Sequence, residues 1–227
     1  MNKNPVQNRA LRVSRIGLFA ALYAATGLIP ISMFIGAPSF LALNLIITPV
    51  IAILLSPAEA LFASLFGGII GVYIAPMQAM FGPYTILLPV VGATFGSLAY
   101  HKVRMGGLAS AIFLGFAIVA YLFRNYSFPY FIIPHSAALA FALIGSLKGM
   151  TPLKVRVPLY AYVSTLAEQG MMMIFAVYLL DLPWQVFVGV LPLMIYERTI
   201  GTLGSTIVTL SLLKAIPKHF AQRDAST

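Results

Sequence analysis

The position of the charged residues constrains this chain more than any other feature of its sequence. Among 227 residues there are 14 Lys and Arg but only five Asp and Glu. Twelve of the basic residues fall into four groups, which long apolar stretches separate: Lys3/Arg9/Arg12/Arg15, Lys102/Arg104, Lys148/Lys154/Arg156 and Lys214/Lys218/Arg223. Integral membrane proteins concentrate Lys and Arg in their cytoplasmic loops in this way. The charge pattern therefore predicts a chain that crosses a bilayer several times.

The composition supports the same interpretation. The chain is 60% hydrophobic and 8% charged, whereas soluble domains carry about 25% charged residues. A net charge of +9 would suit nucleic acid in a soluble protein, but the loop charges account for almost all of it, so we expect no nucleic-acid partner. The absence of cysteine excludes disulfides, thiolate metal ligands and a thiol nucleophile.

The apolar stretches predict the number and direction of the membrane spans. A span needs about 20 apolar residues, and turn residues divide the chain into eight such runs: 16–35, 38–56, 57–76, 83–100, 107–123, 129–147, 157–180 and 185–213. Eight spans with both ends inside place the basic groups on one side. Six remain possible if 107–147 contains a re-entrant hairpin. We therefore predict an all-α integral membrane protein with six to eight transmembrane helices and cytoplasmic N- and C-termini.

This prediction divides the chain into three parts. Residues 1–15 form a basic cytoplasmic N-terminus, residues 16–216 a single transmembrane helical domain, and residues 217–227 a cytoplasmic tail. Five prolines lie within or at the ends of the runs: Pro30, Pro49, Pro89, Pro134 and Pro192. They indicate either kinked helices around a pocket or the ordinary abundance of proline in membrane helices.

Small residues line one side of the first predicted helix. Two pairs stand four residues apart, Ala20 with Ala24 and Ala21 with Ala25, and Gly17 extends the second row. Such rows make a flat face that a second helix can approach closely. The partner can be another helix of the same bundle or a helix of another protein. Later runs repeat the spacing at Gly67/Gly71 and Gly92/Gly96.

These features together resemble the substrate-binding S components of energy-coupling factor (ECF) transporters. The resemblance rests on the basic N-terminus before the double AxxxA helix and on the short turn at 55–59. It also rests on the Gly-rich stretch at 66–71 and on a last helix with Glu197 and Gly201, which leads into residues 213–217. S components usually have six spans, whereas this chain has up to eight apolar runs.

The resemblance implies a function and partners. It implies an S-component-like bundle in the plasma membrane of a prokaryote, with an outward-facing pocket for a small, water-soluble, vitamin-like nutrient. Energy would come from a transmembrane T component and two cytoplasmic ATPases. The docking face for the T component would be Ala20, Ala21, Ala24 and Ala25. Neither an enzymatic activity nor a cofactor is implied. Members specific for nickel or cobalt begin with Met-His, whereas this chain begins Met1-Asn2-Lys3, so we expect no metal.

Polar residues inside the apolar runs are the candidates for binding a substrate, because charges within a membrane are costly and mark functional sites. The predicted depths place eight of them around one cavity open to the outside: Asn44, Tyr84, Arg124, His135, Glu168, Gln169, Glu197 and Arg198. The mixture of charged and aromatic side chains suggests a polar, partly charged substrate.

Each of these residues also has a structural alternative. Glu168 with Arg198 or Arg124 is a possible structural ion pair, and Arg124 at a helix end can extend to the interface. Tyr84 can belong to an interfacial aromatic belt, and His135 can be hydrogen-bonded within the bundle. Glu59, at the start of a helix, is expected to be structural because the partial positive charge of a helix N-terminus stabilises a carboxylate there.

Other functions remain open at the level of the sequence. A standalone ion-coupled secondary transporter would use Glu168 or Glu197 as a proton or cation site. An integral-membrane enzyme acting on lipid would need a polar cluster near the headgroups, where the inner loops offer Lys, Arg, His101 and Glu59. A structural or assembly role is the remaining alternative. The sequence has no GxxxxGK[ST], HExxH or GxSxG motif.

Overall fold

The described part of the chain contains eight α-helices, each overlapping one of the eight apolar runs. The computed structural model describes residues 5–33, 40–148 and 152–215. Within these ranges the helices are α1 (Pro5–Thr26), α2 (Asn44–Leu54), α3 (Pro57–Ile74), α4 (Leu87–His101), α5 (Val103–Asn125), α6 (Ile133–Lys148), α7 (Leu153–Tyr178) and α8 (Trp184–Ala215). The prediction of an all-α protein is confirmed.

The connection between α1 and α2 differs from the prediction. Two short strands, β1 (Pro30–Met33) and β2 (Phe40–Ala42), pair in antiparallel fashion there. The expected helical runs at 16–35 and 38–56 were therefore too long. The proline ring of residue 30 explains the end of α1, because in a continued helix it would clash with the carbonyl of residue 26, four positions earlier. Helix α1 ends at that residue, Thr26.

Contacts between the helices show that their directions alternate along the chain. Helices α4 and α7 are antiparallel, since Tyr100 near the end of α4 packs on Tyr160 near the start of α7. Helices α1 and α3 are parallel, since Arg15 bonds to Glu59 and, further along both helices, Tyr23 lies beside Gly71. Nine basic positions consequently lie at one end of the bundle, the basic end: Arg9, Arg12, Arg15, Lys102, Arg104, Lys148, Lys154, Arg156 and Lys214.

The outside of the bundle is apolar. Large side chains such as Ile112, Phe123 and Ile207 are mostly exposed, and extensive exposed apolar surface marks contact with lipid or another protein. Among the described residues, five helical segments are long and apolar enough to cross a membrane: Pro57–Ile74, Gly82–His101, Arg104–Asn125, Pro129–Ser146 and Trp184–Ala215. The protein is therefore an α-helical membrane protein.

The basic N-terminus continues into α1, which begins at Pro5. A carboxylate on α3 holds this first part of the helix. Glu59 is buried, accepts a hydrogen bond from Arg15 at 3.0 Å and lies 4.0 Å from Arg12. It also forms a capping box with Ser56, an arrangement that satisfies free backbone groups at a helix start. These contacts fit the structural role expected of Glu59. Residues 217–227 lie outside the described part of the chain.

Two of the prolines interrupt helices and two do not. Pro49 lies inside α2 and Pro192 inside α8. In contrast, Pro89 and Pro134 lie in the first turns of α4 and α6, where the missing N–H is tolerated. Of these four, only Pro49 and Pro192 free backbone groups within a helix; Pro158, inside α7, does so as well.

Candidate functional site

Five of the eight candidate residues are buried inside the bundle. Glu168 and Gln169 lie on α7, Glu197 and Arg198 on α8, and His135 on α6, and none is more than 8% exposed. We call these five residues the buried polar group. Charged side chains are almost never buried to this degree unless they are paired. Their burial on three different helices therefore calls for a partner, a ligand or both.

Arg198 is the electrostatic centre of this group. It interacts with the carboxylates of Glu168 and Glu197, and it lies close enough to His135 to act on the imidazole. One guanidinium nitrogen, Nη1, donates to the Thr165 carbonyl at 3.4 Å, whereas Nε has no hydrogen-bond partner among the described residues. The arginine thus joins α7 and α8 and keeps one donor available.

Glu168 fits into the bundle because α4 has a glycine opposite it. A Cβ at Gly92 would lie 2.8 Å from the Glu168 Cβ, 3.1 Å from its Oε2 and 3.0 Å from the Thr48 Cγ2. The Thr48 side chain interacts with the carboxylate, but Oε2 has no hydrogen-bond partner in the described part of the chain. Gly92 therefore leaves room on α4 for the Glu168 carboxylate of α7 and the Thr48 side chain of α2.

Two further members of the group have polar atoms without partners. Within the described residues, the Gln169 Oε1 and both ring nitrogens of His135 make no hydrogen bond of good geometry. The Phe131 backbone, one turn earlier, interacts with the imidazole but does not meet that geometry. A buried polar atom without a partner costs about 1–3 kcal/mol, and each such atom in a folded protein needs an explanation such as a ligand or an ordered water.

Several hydroxyl-bearing residues extend the site but were not expected from the sequence. The Thr165 and Thr202 hydroxyls lie 3.2 Å apart between α7 and α8, and Tyr23 of α1 interacts with both Glu168 and Arg198. Tyrosine and threonine are common in apolar runs, so composition does not single them out. Of the residues around the site that were not candidates, only Gly92 had a recognisable sequence signal, its GxxxG spacing with Gly96.

Asn44 connects the buried polar group to the end of the bundle opposite the basic end. Its side-chain Nδ2 donates to the Gln78 Oε1 at 3.0 Å. Its backbone carbonyl oxygen accepts from the Thr48 Oγ1 at 3.5 Å. Gly27 makes room for this pair, because a Cβ there would lie 3.1 Å from the Gln78 Nε2. A chain of polar groups thus leads from the half-buried Asn44 through Thr48 towards Glu168.

Tyr84 and Arg124 lie away from this site. Tyr84 is exposed, and its ring packs on Phe175 with the centroids 6.0 Å apart. Arg124 forms an exposed ion pair with Asp181. The predicted depth of both residues is consistent with their positions, but neither side chain turns towards the buried polar group.

The double row of alanines on α1 divides between two environments. Ala20 and Ala24 are each 3% exposed, and α3 packs against them: a Cβ at Gly67 would lie 3.0 Å from the Ala20 carbonyl. Ala21 and Ala25 are exposed. Nothing lies within 4 Å of a Cβ built at Gly17, in the same row. The first row therefore builds the bundle, and the second remains open on its surface.

Within residues 5–33, 40–148 and 152–215, no three His, Asp or Glu side chains come close enough together to hold a metal ion. Comparisons of the chain with protein-family models, with curated proteins and with solved structures each find no match.

Proposed function

We propose that this chain is the membrane-embedded substrate-capture subunit of an ECF-type importer in a prokaryotic plasma membrane. The basic end faces the cytoplasm, in accordance with the positive-inside rule, and the end with Asn44 faces outside. The substrate is a small, polar, vitamin-like nutrient. A T component and two cytoplasmic ATPases supply the energy for its release.

The observation that carries this proposal is the buried polar group itself. Ionisable residues inside a membrane protein are expensive and mark ligand or ion pathways. Among the described residues, the Arg198 Nε, the Glu168 Oε2 and the Gln169 Oε1 have no hydrogen-bond partner. A ligand that carries both acceptors and donors would satisfy these atoms together. A purely structural ion pair would leave them unsatisfied.

The exposed row on α1 gives independent support. Gly17, Ala21 and Ala25 have no large side chains, so they leave a shallow strip along the outside of the bundle. In a membrane, such small residues permit close approach of a second helix. The coupling helices of a T component are the partner proposed for this strip.

Uptake by the reconstituted complex tests the proposal. The chain should import substrate into ATP-loaded proteoliposomes only when a T component and two ATPases from the same genome are present. Ala21→Leu combined with Ala25→Leu should reduce uptake at least tenfold but leave substrate binding by the isolated chain intact. Gly189→Leu is the matched control, because nothing lies within 4 Å of a Cβ at that position on α8.

A second function is favoured by one observation, the unpartnered Oε2 of the buried Glu168. A buried carboxylate that can gain and lose a proton is what an ion-coupled secondary transporter needs. Uptake by the chain alone, driven by a proton or sodium gradient and abolished in Glu168→Gln, would establish that function and reject the capture subunit.

A further inference from the structure

A cavity of about 240 Å³ lies at the turn between α7 and α8, next to the end of α5. It is separate from the buried polar group. Tyr178, the last residue of α7, is ten positions beyond Glu168, which at a rise of about 1.5 Å per residue is roughly 15 Å. Three polar side chains line the cavity, Arg124, Asn125 and Asp181.

The Asn125 amide is the buried element of this cavity. The residue is 4% exposed, and within the described residues its Nδ2 has no hydrogen-bond partner. Leaving an amide donor buried and unsatisfied costs about as much as losing a hydrogen bond. An oxygen atom of a ligand is the group that this amide lacks.

Arg124 and Asp181 supply charges of opposite sign to the cavity. Arg124 on α5 pairs with Asp181 beyond the end of α7, and both side chains are largely exposed, at 48% and 80%. Asp181 has a φ of 51°, a left-handed conformation in which Asp is enriched. Exposed pairs hold together weakly, so a ligand that brings its own positive and negative groups can replace each partner of the pair.

The helix ends strengthen the same division of charge. Helix α7 ends at Tyr178 and α8 begins at Trp184. A helix C-terminus carries partial negative charge and favours a cation, whereas an N-terminus favours an anion. Helix α5 also ends here, at Asn125, so an ammonium beside Asp181 would meet the favourable field of two C-termini. A carboxylate would meet a favourable field at the start of α8, with the charge of Arg124 opposing the field at the end of α5.

The remaining walls are apolar and limit the ligand's size. Val177, Leu182 and Trp184 line the cavity and can pack against an aliphatic side chain. Pockets for drug-sized ligands measure about 300–1,000 Å³, so this smaller cavity suits a smaller molecule. We propose that it binds a small zwitterion with an apolar side chain, of the α-amino acid class. The headgroup of an aminophospholipid carries the same pair of charges and is the other source of this chemistry.

The tryptophan in the cavity makes the proposal directly measurable. Trp184 is the only tryptophan of the chain, so its fluorescence reports on this cavity alone. The purified protein in phosphatidylcholine nanodiscs is titrated with L-leucine, and binding of radiolabelled L-leucine is measured in parallel. We expect saturable binding that changes the Trp184 emission. L-Leucinamide and N-acetyl-L-leucine, which each lack one charge, should bind at least tenfold more weakly.

Variants separate this cavity from the buried polar group. Asp181→Asn and Arg124→Gln should each weaken leucine binding at least tenfold, whereas Glu168→Gln should bind like the wild type. Loss of binding in Glu168→Gln with retention in Asp181→Asn would move the ligand to the buried polar group and overturn this inference. It would leave the proposed function standing.

Nanodiscs that contain phosphatidylethanolamine distinguish the two sources of the zwitterion. If that lipid alone changes the Trp184 emission, and Asp181→Asn abolishes the change, the zwitterion site is supported with lipid as its occupant. If neither leucine nor phosphatidylethanolamine changes the emission, and no labelled leucine is retained, the inference is wrong. Equal affinity for leucine and its two singly charged derivatives would also overturn it.

Discussion

Replacing Gly92 by alanine should both destabilise the protein and weaken its ligand binding. The added Cβ would lie 2.8 Å from the Glu168 Cβ and 3.0 Å from the Thr48 Cγ2, whereas ordinary van der Waals contact begins at 3.4 Å. The Glu168 Cβ is fixed to the backbone of α7 and cannot rotate away, so α4 and α7 must separate by roughly half an ångström. Overpacking of this kind costs about 1–3 kcal/mol, measurable as the free energy of unfolding in detergent mixed with a denaturant.

Two matched glycines control this prediction. Gly189→Ala meets nothing within 4 Å and should change the unfolding free energy by less than about 0.5 kcal/mol, as surface substitutions usually do. Gly96→Ala places a Cβ 2.5 Å from the Ser164 Cβ, so it should destabilise like Gly92→Ala but retain ligand affinity. If Gly92→Ala is as stable as Gly189→Ala, the packing described around Glu168 is refuted.

Three further substitutions test other parts of the structure. Glu59→Ala removes the capping box and the hydrogen bond from Arg15 and should lower the unfolding free energy by about 1–3 kcal/mol; Glu59→Gln, which can still cap, should lose less, and equal losses would contradict the capping role. Asp181→Asn breaks only the exposed pair with Arg124 and should change stability by less than about 1 kcal/mol; a larger loss in the same unfolding assay would show that the pair is structural. Ser164→Ala loses an interhelical hydrogen bond of 2.9 Å and should cost about 0.6 kcal/mol, the average for such bonds in membranes, with an unchanged unfolding midpoint as the contradictory result.

The number of membrane spans, six to eight from the sequence, stays a prediction, but the positions and order of the helices could be predicted because hydropathy and turn residues report them directly. The hairpin between α1 and α2 could not, because an apolar strand and an apolar helix have the same hydropathy. Two local signals were nevertheless present, Gly27 and Pro30. The ring of Pro30 prevents the helix from continuing through residue 30, and α1 ends before it, at Thr26.

The sequence predicted how deep in the membrane each candidate residue lies, but not which other helices its side chain faces. Glu168, Arg198 and His135 were identified because polar residues are rare in apolar runs, and the structure brings them together. Arg124 and Tyr84 were assigned to the same cavity because a sequence gives the height of a residue along its helix. It does not give the neighbours of that helix around the bundle. The packing of α4 against α7, which Gly92 permits, is a tertiary property of this kind.

The most direct test of the central claim is ligand-induced thermal stabilisation of the purified chain. The protein is screened in detergent against vitamins, nucleobases and amino acids, alongside Glu168→Gln and Arg198→Gln, with Arg124→Gln as the control for loss of a positive charge. At 100 times its dissociation constant a ligand should add about 2.7 kcal/mol of stability. We expect a vitamin-like ligand whose stabilisation disappears in both buried variants and persists in Arg124→Gln. Stabilisation by such a vitamin-like ligand that survives in Glu168→Gln and Arg198→Gln would contradict the proposed site.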